Sequence, residues 1–386
     1  MYDFFNHIDS ELDFLEQNSA TRNLKILPEG ILNFASNDYL GLSRDTNLYS
    51  QFLQELQTQR PKFSSTSSRL LSGNSAMHEQ LEYTLKKLFN RPALVFNSGY
   101  HCNLGILPAI CTLKSLIIAD KLVHASIIDG IRLSGCDFLR FKHNDFNHLE
   151  KLIKSNIDKY SGIIICCESI YSMDGDITDL EALVSLKNKY SVALYVDEAH
   201  ATGVFGKNGL GLAEEYGVID KIDVLIGTFG KAVSSVGAFA IVQEKIRNYL
   251  INKMRPFIFS TALPPAVAMW TNFVVSRLPQ MNELRINLKK LQDIYFSQTG
   301  YKPQSQIIPF GIRGNAAAVS LAQKLWDNSI FCPAIRYPTV AKNSERLRIS
   351  LCADMTENDI KKLCNILKPY NQKCKQLTMQ MIIKNL

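Results

Sequence analysis

The sequence lacks the spacings by which cysteines build zinc sites or disulfide scaffolds. Its nine cysteines include no CxxC pair, and Cys166 and Cys167 simply follow one another at the end of an apolar run. An odd, unpatterned set of thiols is typical of proteins kept in a reducing compartment. We therefore expect a cytoplasmic protein without a bound metal.

Long apolar runs are also missing. No uninterrupted apolar stretch approaches the ~18 residues of a membrane-spanning helix. The first residues, MYDFFNHIDSELDFLEQ, are acidic and amphipathic, which is unlike a secretory signal. These absences favour a soluble cytosolic protein with no membrane partner.

A concentrated basic surface is absent as well. The chain carries 43 Lys and Arg against 36 Asp and Glu, a net charge of +7, but the charges are scattered apart from a mildly basic tail over 361–384. No module that interleaves basic and aromatic residues is present. We expect no nucleic-acid partner.

The phosphate-binding loop of helicase ATPases is missing, although the sequence spells DEAH at 197–200. That loop needs GxxxxGK followed by Ser or Thr. The two Gly-Lys pairs, in TGVFGKN and IGTFGKA, have neither the glycine spacing nor the hydroxyl residue. The DEAH letters are therefore a coincidence, and the buried acids of this stretch need another explanation.

Short β-branched runs alternate with helical segments from about Ala93 onward. The predicted strands are 93–96, 115–119, 137–141, 162–167, 192–196 and 223–228, and helices begin near 100, 124, 147 and 178. Several strands are apolar throughout, as expected when both sheet faces are covered. The pattern predicts an α/β fold with a mainly parallel sheet flanked by helices.

The two ends of the chain predict a smaller α+β part. Residues 2–17 carry an apolar stripe at helical spacing that includes Phe4 and Phe5, and helices near 266–277 and 280–297 precede QIIPF, a helix near 315–327, RLRISL and a helix near 356–368. We expect an N-terminal helix and arm over 1–45, a large α/β domain over 46–277 and a small domain over 278–386.

Polar residues follow four of the predicted strands. They are Asn97-Ser98-Gly99-Tyr100, Glu168 with Tyr171-Ser172, Asp197-Glu198-Ala199-His200, and Phe229-Gly230-Lys231. Functional residues of open α/β sheets lie where strands end. Pyridoxal phosphate requires a lysine for a Schiff base, a carboxylate at the ring nitrogen and a phosphate cradle such as a helix start, and an imidazole beside the carboxylate can reach the ring hydroxyl. We expect Lys231, Asp197 and His200 to serve one such cofactor, with Thr228 and Ser98-Gly99-Tyr100 nearby.

The motifs resemble the α-oxoamine synthase family of pyridoxal-phosphate enzymes, which have the aspartate-aminotransferase fold (fold type I). The resemblance runs nearly end to end, through NFASNDYLGLS, RLLSGNSAMHEQLE, HASIIDG, ESIYSMDGD, DEAHATGVFGKNGLG, GTFGKA, FSTALPP, AIRYPTV and ERLRISL. It implies an acyltransferase that condenses an amino acid with an acyl thioester and releases carbon dioxide.

The resemblance also assigns roles to individual residues. Lys231 would form the Schiff base and act as general base, Asp197 would pair with the ring nitrogen, and His124 would stack on the ring and donate to the developing oxyanion. The remaining cofactor contacts would come from Gly99, Tyr100, Ser172, His200, Thr228 and, from the other subunit, Ser260 or Thr261. Arg348 would bind the amino-acid carboxylate, Arg22 and Thr339 the acyl substrate, and Asn37 would lie near the reacting groups.

Several residues keep a structural alternative. His124 is equally consistent with a helix-capping or core histidine, and Glu168 with a core residue satisfied by backbone amides. Arg346 is expected to be a structural neighbour of Arg348. His78, His101 and His143 have no metal-ligand spacing and are expected to be structural.

Two loops depart from the family pattern. Residues 64–68 contain no glycine where the family usually has a glycine-rich stretch, and Ser234 stands where glycine is common. A left-handed backbone is costly for residues other than glycine. Both loops are expected near the cofactor or acyl site, so a shifted acyl specificity is possible there.

Within the family, the compact length and AIRYPTV are most like the members that condense L-alanine with a pimeloyl thioester, on coenzyme A or an acyl-carrier protein, in biotin biosynthesis. Members that use glycine or serine, and a catalytically inactive subunit of the same fold, are the alternatives. The resemblance further implies a homodimer with active sites at the interface.

Overall fold

The computed structural model describes residues 5–337, 339–372, 374 and 376–378. The helices are α1 (Asn6–Gln17), α2 (Thr46–Gln59), α3 (Ala76–Phe89), α4 (Gly99–Ile110), α5 (Ala125–Ser134), α6 (Phe146–Asn156), α7 (Leu180–Tyr190), α8 (Leu212–Glu215), α9 (Glu244–Lys253), α10 (Arg255–Ile258), α11 (Pro265–Val275), α12 (Asn282–Thr299), α13 (Asn315–Asp327) and α14 (Glu357–Leu367). The strands are β1 (Leu32–Asn33), β2 (Ala93–Phe96), β3 (Ser115–Asp120), β4 (Asp137–Phe141), β5 (Gly162–Glu168), β6 (Ala193–Asp197), β7 (Val224–Thr228), β8 (Ala238–Val242), β9 (Ile307–Gly311), β10 (Ile330–Phe331), β11 (Ala334–Ile335) and β12 (Arg346–Ser350).

The chain forms two compact units. The large unit holds residues 37–172 and 176–287, and the small unit holds residues 5–36, Met173–Gly175 and the described residues from Leu288 onward. The division therefore falls within α12, ten residues beyond the boundary expected at 277/278. Residues 37–45, expected in the N-terminal arm, lie in the large unit.

A seven-stranded sheet forms the centre of the large unit, in the order β2-β8-β7-β6-β5-β3-β4. Strand β8 is antiparallel to both of its neighbours, and the other pairings are parallel. Strands β2, β7 and β8 are buried along their whole length, which explains their continuous apolar sequences. The predicted α/β class is confirmed.

The predicted strands of this sheet are present within a residue or two of their expected ends. The sequence reasoning missed β8, a run of five apolar residues that follows Gly237. Gly237 has φ +110 and would place a Cβ 2.8 Å from the carbonyl oxygen of Phe96, so only glycine fits there. An apolar run after such a glycine was the available signal for this strand.

The small unit contains an antiparallel sheet in the order β11-β12-β9 and a parallel pair of β1 with β10. Strands β9 and β12 are buried throughout, and α13 and α14 carry buried apolar residues such as Leu325 and Leu363. The helix predicted over 2–17 is present as α1. Its first residues, up to Phe4, lie outside the described part of the chain, as do residues 373, 375 and 379–384 of the basic tail. Among the described residues, no helix has both the length and the apolar character needed to cross a membrane.

Candidate active site

The carboxyl ends of β5, β6 and β7 lie side by side at one edge of the large sheet. Glu168 at the end of β5 is the register partner of Asp197 at the end of β6, and Asp197 is the partner of Ile226 in β7. Parallel pairing brings these ends to the same edge. The polar residues that follow the three strands are therefore placed together, as the sequence predicted.

Asp197 is 5% exposed, and two donors hold its carboxylate. The amide Nδ2 of Asn103 donates to Oδ2 at 2.7 Å, and the backbone amide of Ala199 donates to Oδ1 at 2.8 Å. The hydroxyl of Tyr195 in turn donates to Oδ1 of Asn103 at 2.5 Å. A buried carboxylate with these donors can face a cation without loss of its own orientation.

Lys231 and His200 lie in contact, and a chain of hydrogen bonds continues from them. Nζ of Lys231 is 2.8 Å from Nε2 of His200, and Nδ1 of His200 is 2.7 Å from the hydroxyl of Tyr39. Tyr39 donates to Oδ1 of Asn37 at 3.0 Å. The predicted lysine, the predicted imidazole and the predicted Asn37 thus belong to one cluster.

His124 caps the N-terminus of α5, because its Nδ1 accepts from the backbone amide of Ser126 at 3.2 Å. Desolvation lowers the pKa of His124, and the charge of Lys231 lowers it further, while the charges of Asp197 and Asp129 raise it. The helix-capping alternative is therefore correct as geometry. The ring nevertheless lies within the electrostatic reach of both Asp197 and Lys231, so capping does not exclude a role at the site.

Glu168 is 3% exposed and accepts from the backbone amide of His124 at 2.5 Å. Burial raises its pKa well above the usual value, and the charge of Asp197 raises it further against the opposing charge of Lys231. This agrees with the alternative of a core carboxyl satisfied by a backbone amide. Its partner is the amide that starts the turn into α5, so Glu168 also orients His124.

The start of α4 lies beside the end of β7. A Cβ on Gly99 would be 3.7 Å from Oγ1 of Thr228. Ser98 accepts from the amides of His101 and Cys102, whereas no acceptor is recorded for the amides of Gly99 and Tyr100 within the part of the chain that the structure describes. Unpaired amides at a helix start are suited to phosphate oxygens.

Two further predicted cofactor residues lie in the large unit. The carbonyl oxygen of Thr261 accepts from Nδ2 of Asn97 at 2.6 Å, which places the 260–261 turn next to the start of α4 in the same chain. Ser172 is half-buried on the turn that follows β5. Tyr100 is exposed and donates its hydroxyl to Asp129, and this hydrogen bond raises the pKa of Tyr100.

The other predicted substrate residues lie in the small unit. Nη2 of Arg22 donates to Oγ1 of Thr339 at 2.6 Å, so these two predicted acyl-binding residues lie together. Arg348 is buried in β12 and donates from Nη1 to the hydroxyl of Ser350 at 2.7 Å. Arg346, expected to be a structural neighbour, forms a buried ion pair with Asp174.

The residues at the sheet edge fit pyridoxal phosphate. A held carboxylate suits the ring nitrogen, the amine of Lys231 suits the aldehyde, and the two open amides at the start of α4 suit the phosphate. The sequence reasoning missed Asn103, Ser126 and Tyr39, which support these groups. Tyr39 and Ser126 lie inside the motifs NFASNDYLGLS and HASIIDG, and Asn103 follows Tyr100 by three residues; these positions were the only signal.

Comparisons with known proteins identify the family of the chain. The family described as aminotransferase class I and II matches residues 29–367. A Neisseria meningitidis serogroup C protein, provisionally named 8-amino-7-oxononanoate synthase, is 51% identical over 338 residues, which cover 86% of this chain and 89% of that protein.

Solved structures of two enzymes have similar folds. A serine palmitoyltransferase variant from S. paucimobilis with a bound PLP–myriocin aldimine superposes with a TM-score of 0.85 at 25% identity, over 97% of this chain and 100% of that chain. The 8-amino-7-oxononanoate synthase of Francisella tularensis has a TM-score of 0.73 at 28% identity, over 93% and 100%. The chain belongs to the aminotransferase class I and II family and, within it, to the α-oxoamine synthases that its motifs predicted.

Proposed function

We propose that this protein is an 8-amino-7-oxononanoate synthase, which uses pyridoxal phosphate to condense L-alanine with a pimeloyl thioester in biotin biosynthesis. The products are the amino-oxo acid, carbon dioxide and the thiol carrier. The observation that carries the proposal is the convergence of Lys231, His200, Asp197 and His124 at one sheet edge. The high identity to relatives provisionally given this name adds to it.

Pyridoxal phosphate, when bound, supplies an aldehyde that combines with amines and a protonated ring that accepts an electron pair. In the proposal, Asp197 holds the ring nitrogen protonated, and Asn103 and the amide of Ala199 keep its carboxylate oriented. The amides of Gly99 and Tyr100, with Thr228 and Ser172, hold the phosphate. His200 meets the ring hydroxyl, and Thr261 acts from the partner subunit.

Lys231 moves the proton in this proposal. As a neutral amine it removes the α-proton of alanine, and the same Nζ returns a proton to that carbon after carbon dioxide has left. Nε2 of His200, 2.8 Å from Nζ, keeps the amine oriented in between. His124 donates to the thioester carbonyl oxygen as negative charge develops there. Arg348 binds the alanine carboxylate, and Asn37 lies near the reacting groups.

A cavity of about 770 Å³ in the small unit supports the acyl part of the proposal. Among its described lining residues are three cations and no Asp or Glu, and its walls include the apolar side chains of Leu27, Trp326 and Ile335. The cations are Arg22, Lys25 and Arg336. Apolar walls with cationic groups suit a methylene chain that ends in a carboxylate better than a plain fatty chain.

The first test is turnover of L-alanine with pimeloyl-coenzyme A and with the pimeloyl carrier protein, followed by carbon dioxide release. Lys231→Ala should abolish turnover and the yellow colour of the purified protein, because its amine binds the aldehyde. Lys207→Ala, in the other Gly-Lys pair, is exposed and should retain both. Full activity of the Lys231 variant contradicts the proposed mechanism.

A substrate panel separates the alternatives. Preference for glycine or serine over alanine would instead assign the protein to another α-oxoamine synthase activity, and a colourless, inactive wild type would favour a subunit without catalysis. Arg22→Gln should raise the KM for the pimeloyl thioester about tenfold, the loss of one charge-assisted hydrogen bond. It should barely change the KM for the heptanoyl thioester, which has the same chain length without the carboxylate.

Exposed apolar residues support the proposed homodimer. Phe63, Leu71 and Phe259 are 79%, 82% and 72% exposed. Their segments are joined, because the amide of Ala262 donates to the carbonyl oxygen of Ser67 at 3.0 Å. Large apolar side chains exposed on joined segments near the Asn97–Thr261 contact suit burial by a second copy of the chain. Light scattering after size-exclusion chromatography should give twice the mass of 43.5 kDa.

A further inference from the structure

A continuous path of hydrogen bonds joins Asp197 to His124 across the large unit. Nδ2 of Asn103 donates to Oδ2 of Asp197 at 2.7 Å and to Oγ of Ser126 at 3.0 Å. Oγ of Ser126 lies 2.7 Å from Nδ1 of His124. Asn103, Ser126 and Asp197 are all at least nine-tenths buried, so water does not compete for these groups.

The direction of each bond follows from the chemistry of its end groups. An ionised carboxylate only accepts, so Asp197 must face the NH₂ group of Asn103. The amide oxygen then faces the hydroxyl of Tyr195, which donates to it at 2.5 Å. Both protons of the Asn103 amide are used, one on Asp197 and one on Ser126. The orientation of this amide is therefore determined by the carboxylate.

The orientation of the Asn103 amide also determines where the hydroxyl proton of Ser126 points. Its hydroxyl oxygen accepts from Asn103, so its single proton is left for Nδ1 of His124. The backbone amide of Ser126 also donates to Nδ1, at 3.2 Å. Two donors meet at this nitrogen, and a nitrogen that accepts cannot carry a proton. Among the described residues, no partner is recorded for Nε2.

We propose that Ser126 is a positioning residue that holds His124 as a neutral imidazole with its proton on Nε2. His124 then offers one N–H donor, at Nε2, and has no lone pair there to act as a base. This inference rests on the proposed function for the group that the donor meets, the thioester carbonyl oxygen. Lys231 then remains the base of the site, and His124 acts as a hydrogen-bond donor.

The lowered pKa of His124 agrees with a neutral ring at pH 7. The charged groups that act on the ring are Asp197, Lys231 and Asp129, and the edge of the Tyr100 ring faces it at a centroid distance of 6.3 Å. A donor to Nδ1 favours the neutral form, since only that form has a lone pair to receive it. Loss of the Ser126 hydroxyl should therefore raise the pKa of His124.

The direct test is ¹⁵N NMR of the protein labelled at histidine, with and without pyridoxal phosphate and without substrate, with His124→Asn used to assign the signals. The expected result is a neutral ring at pH 7 with Nδ1 unprotonated and Nε2 protonated. A proton on Nδ1, or a charged ring, overturns the inference. The NMR measurement needs no turnover, so its result does not depend on whether the proposed substrates are correct.

Variants of Ser126 provide the second test. Ser126→Ala should raise the pKa of His124 by up to about one pH unit, the worth of one hydrogen bond, and should lower kcat more than it changes KM. Ser126→Thr keeps the hydroxyl and should restore both values. Ser134→Ala, at the far end of α5, should change neither. An unchanged His124 pKa in the Ala variant refutes the role of Ser126, and if the variants fail to fold, the wild-type spectrum decides.

Discussion

Replacing His143 by glutamine should destabilise the protein by about 3–5 kcal/mol, the usual cost of breaking a buried charge cluster. His143 is 3% exposed and lies between two carboxylates, with Nδ1 2.9 Å from Oδ1 of Asp120 and Nε2 2.6 Å from Oδ2 of Asp176. Asn144 donates to both carboxylates as well. Glutamine can donate to one of the two but carries no charge, so the acids would face each other uncompensated.

The pKa of His143 gives an independent magnitude. Burial alone would lower the pKa, but the hydrogen bonds to Asp120 and Asp176 outweigh burial and raise it to about 10 from 6.5. A rise of this size corresponds to about 5 kcal/mol of stability from the charged form. Because the folded pKa is above the unfolded one, this stability is complete below pH 6.5, falls to about half near pH 8 and is lost as the pH rises through 10.

The assay is urea unfolding of wild type and His143→Gln at pH 6, 8 and 10, with His7→Gln as the exposed control. Groups remote from His143 contribute the same pH dependence to both proteins, so the difference between the two reports on His143 and the groups in contact with it. The gap should be widest at pH 6 and should close towards pH 10. A gap below about 1 kcal/mol at pH 6, or one that does not depend on pH, refutes the reasoning.

Two further predictions concern buried or strained positions. Burial raises the pKa of Glu198 to about 8, although the hydrogen bond from the amide of Ala213 opposes this rise. The folded protein therefore loses stability as the pH rises from 4.5 to 8, and Glu198→Gln should remove up to about 5 kcal/mol of that decline. Parallel pH–stability curves for the two proteins would contradict the prediction. Thr66 and Ser234 have φ values of 55 and 51, in the left-handed region; replacing either with glycine should raise the unfolding free energy by about 1 kcal/mol, whereas glycine at Ser64 should lower it, and a loss at all three positions would refute the strain.

The residues with left-handed backbone angles show what sequence comparison could predict about the two loops and what it could not. The absence of glycine from 64–68 and at Ser234 predicted costly backbone angles, and the structure places one left-handed residue in each loop, Thr66 and Ser234. Which residue of 64–68 bears the strain depends on how the loop is held, because Ser65 donates to the carbonyl oxygen of Leu263, far away in the chain. That contact is invisible to local sequence reasoning.

The supporting residues of the site were beyond prediction for a similar reason. Asn103 and Asp197 are 94 positions apart, and Tyr39 and His200 are 161 apart. Asparagine and tyrosine carry no charge and no motif of their own, so only their partners make them functional. His124 was ambiguous because it caps α5 and also lies within the electrostatic reach of Asp197 and Lys231, and a single letter cannot separate the two.

By itself the sequence predicted the α/β class, six of the seven strands of the large sheet, and the lysine, carboxylate and imidazoles that the family motifs mark as candidates, because apolar periodicity and motif order are local properties. The tertiary structure decided which neutral side chains hold those groups, that Nδ1 of His124 is the nitrogen that Ser126 contacts, and that His143 is held between two acids. These features depend on hydrogen bonds between segments that are distant in the sequence. Such bonds become specific only when folding buries the groups, excludes water and leaves each donor a single acceptor.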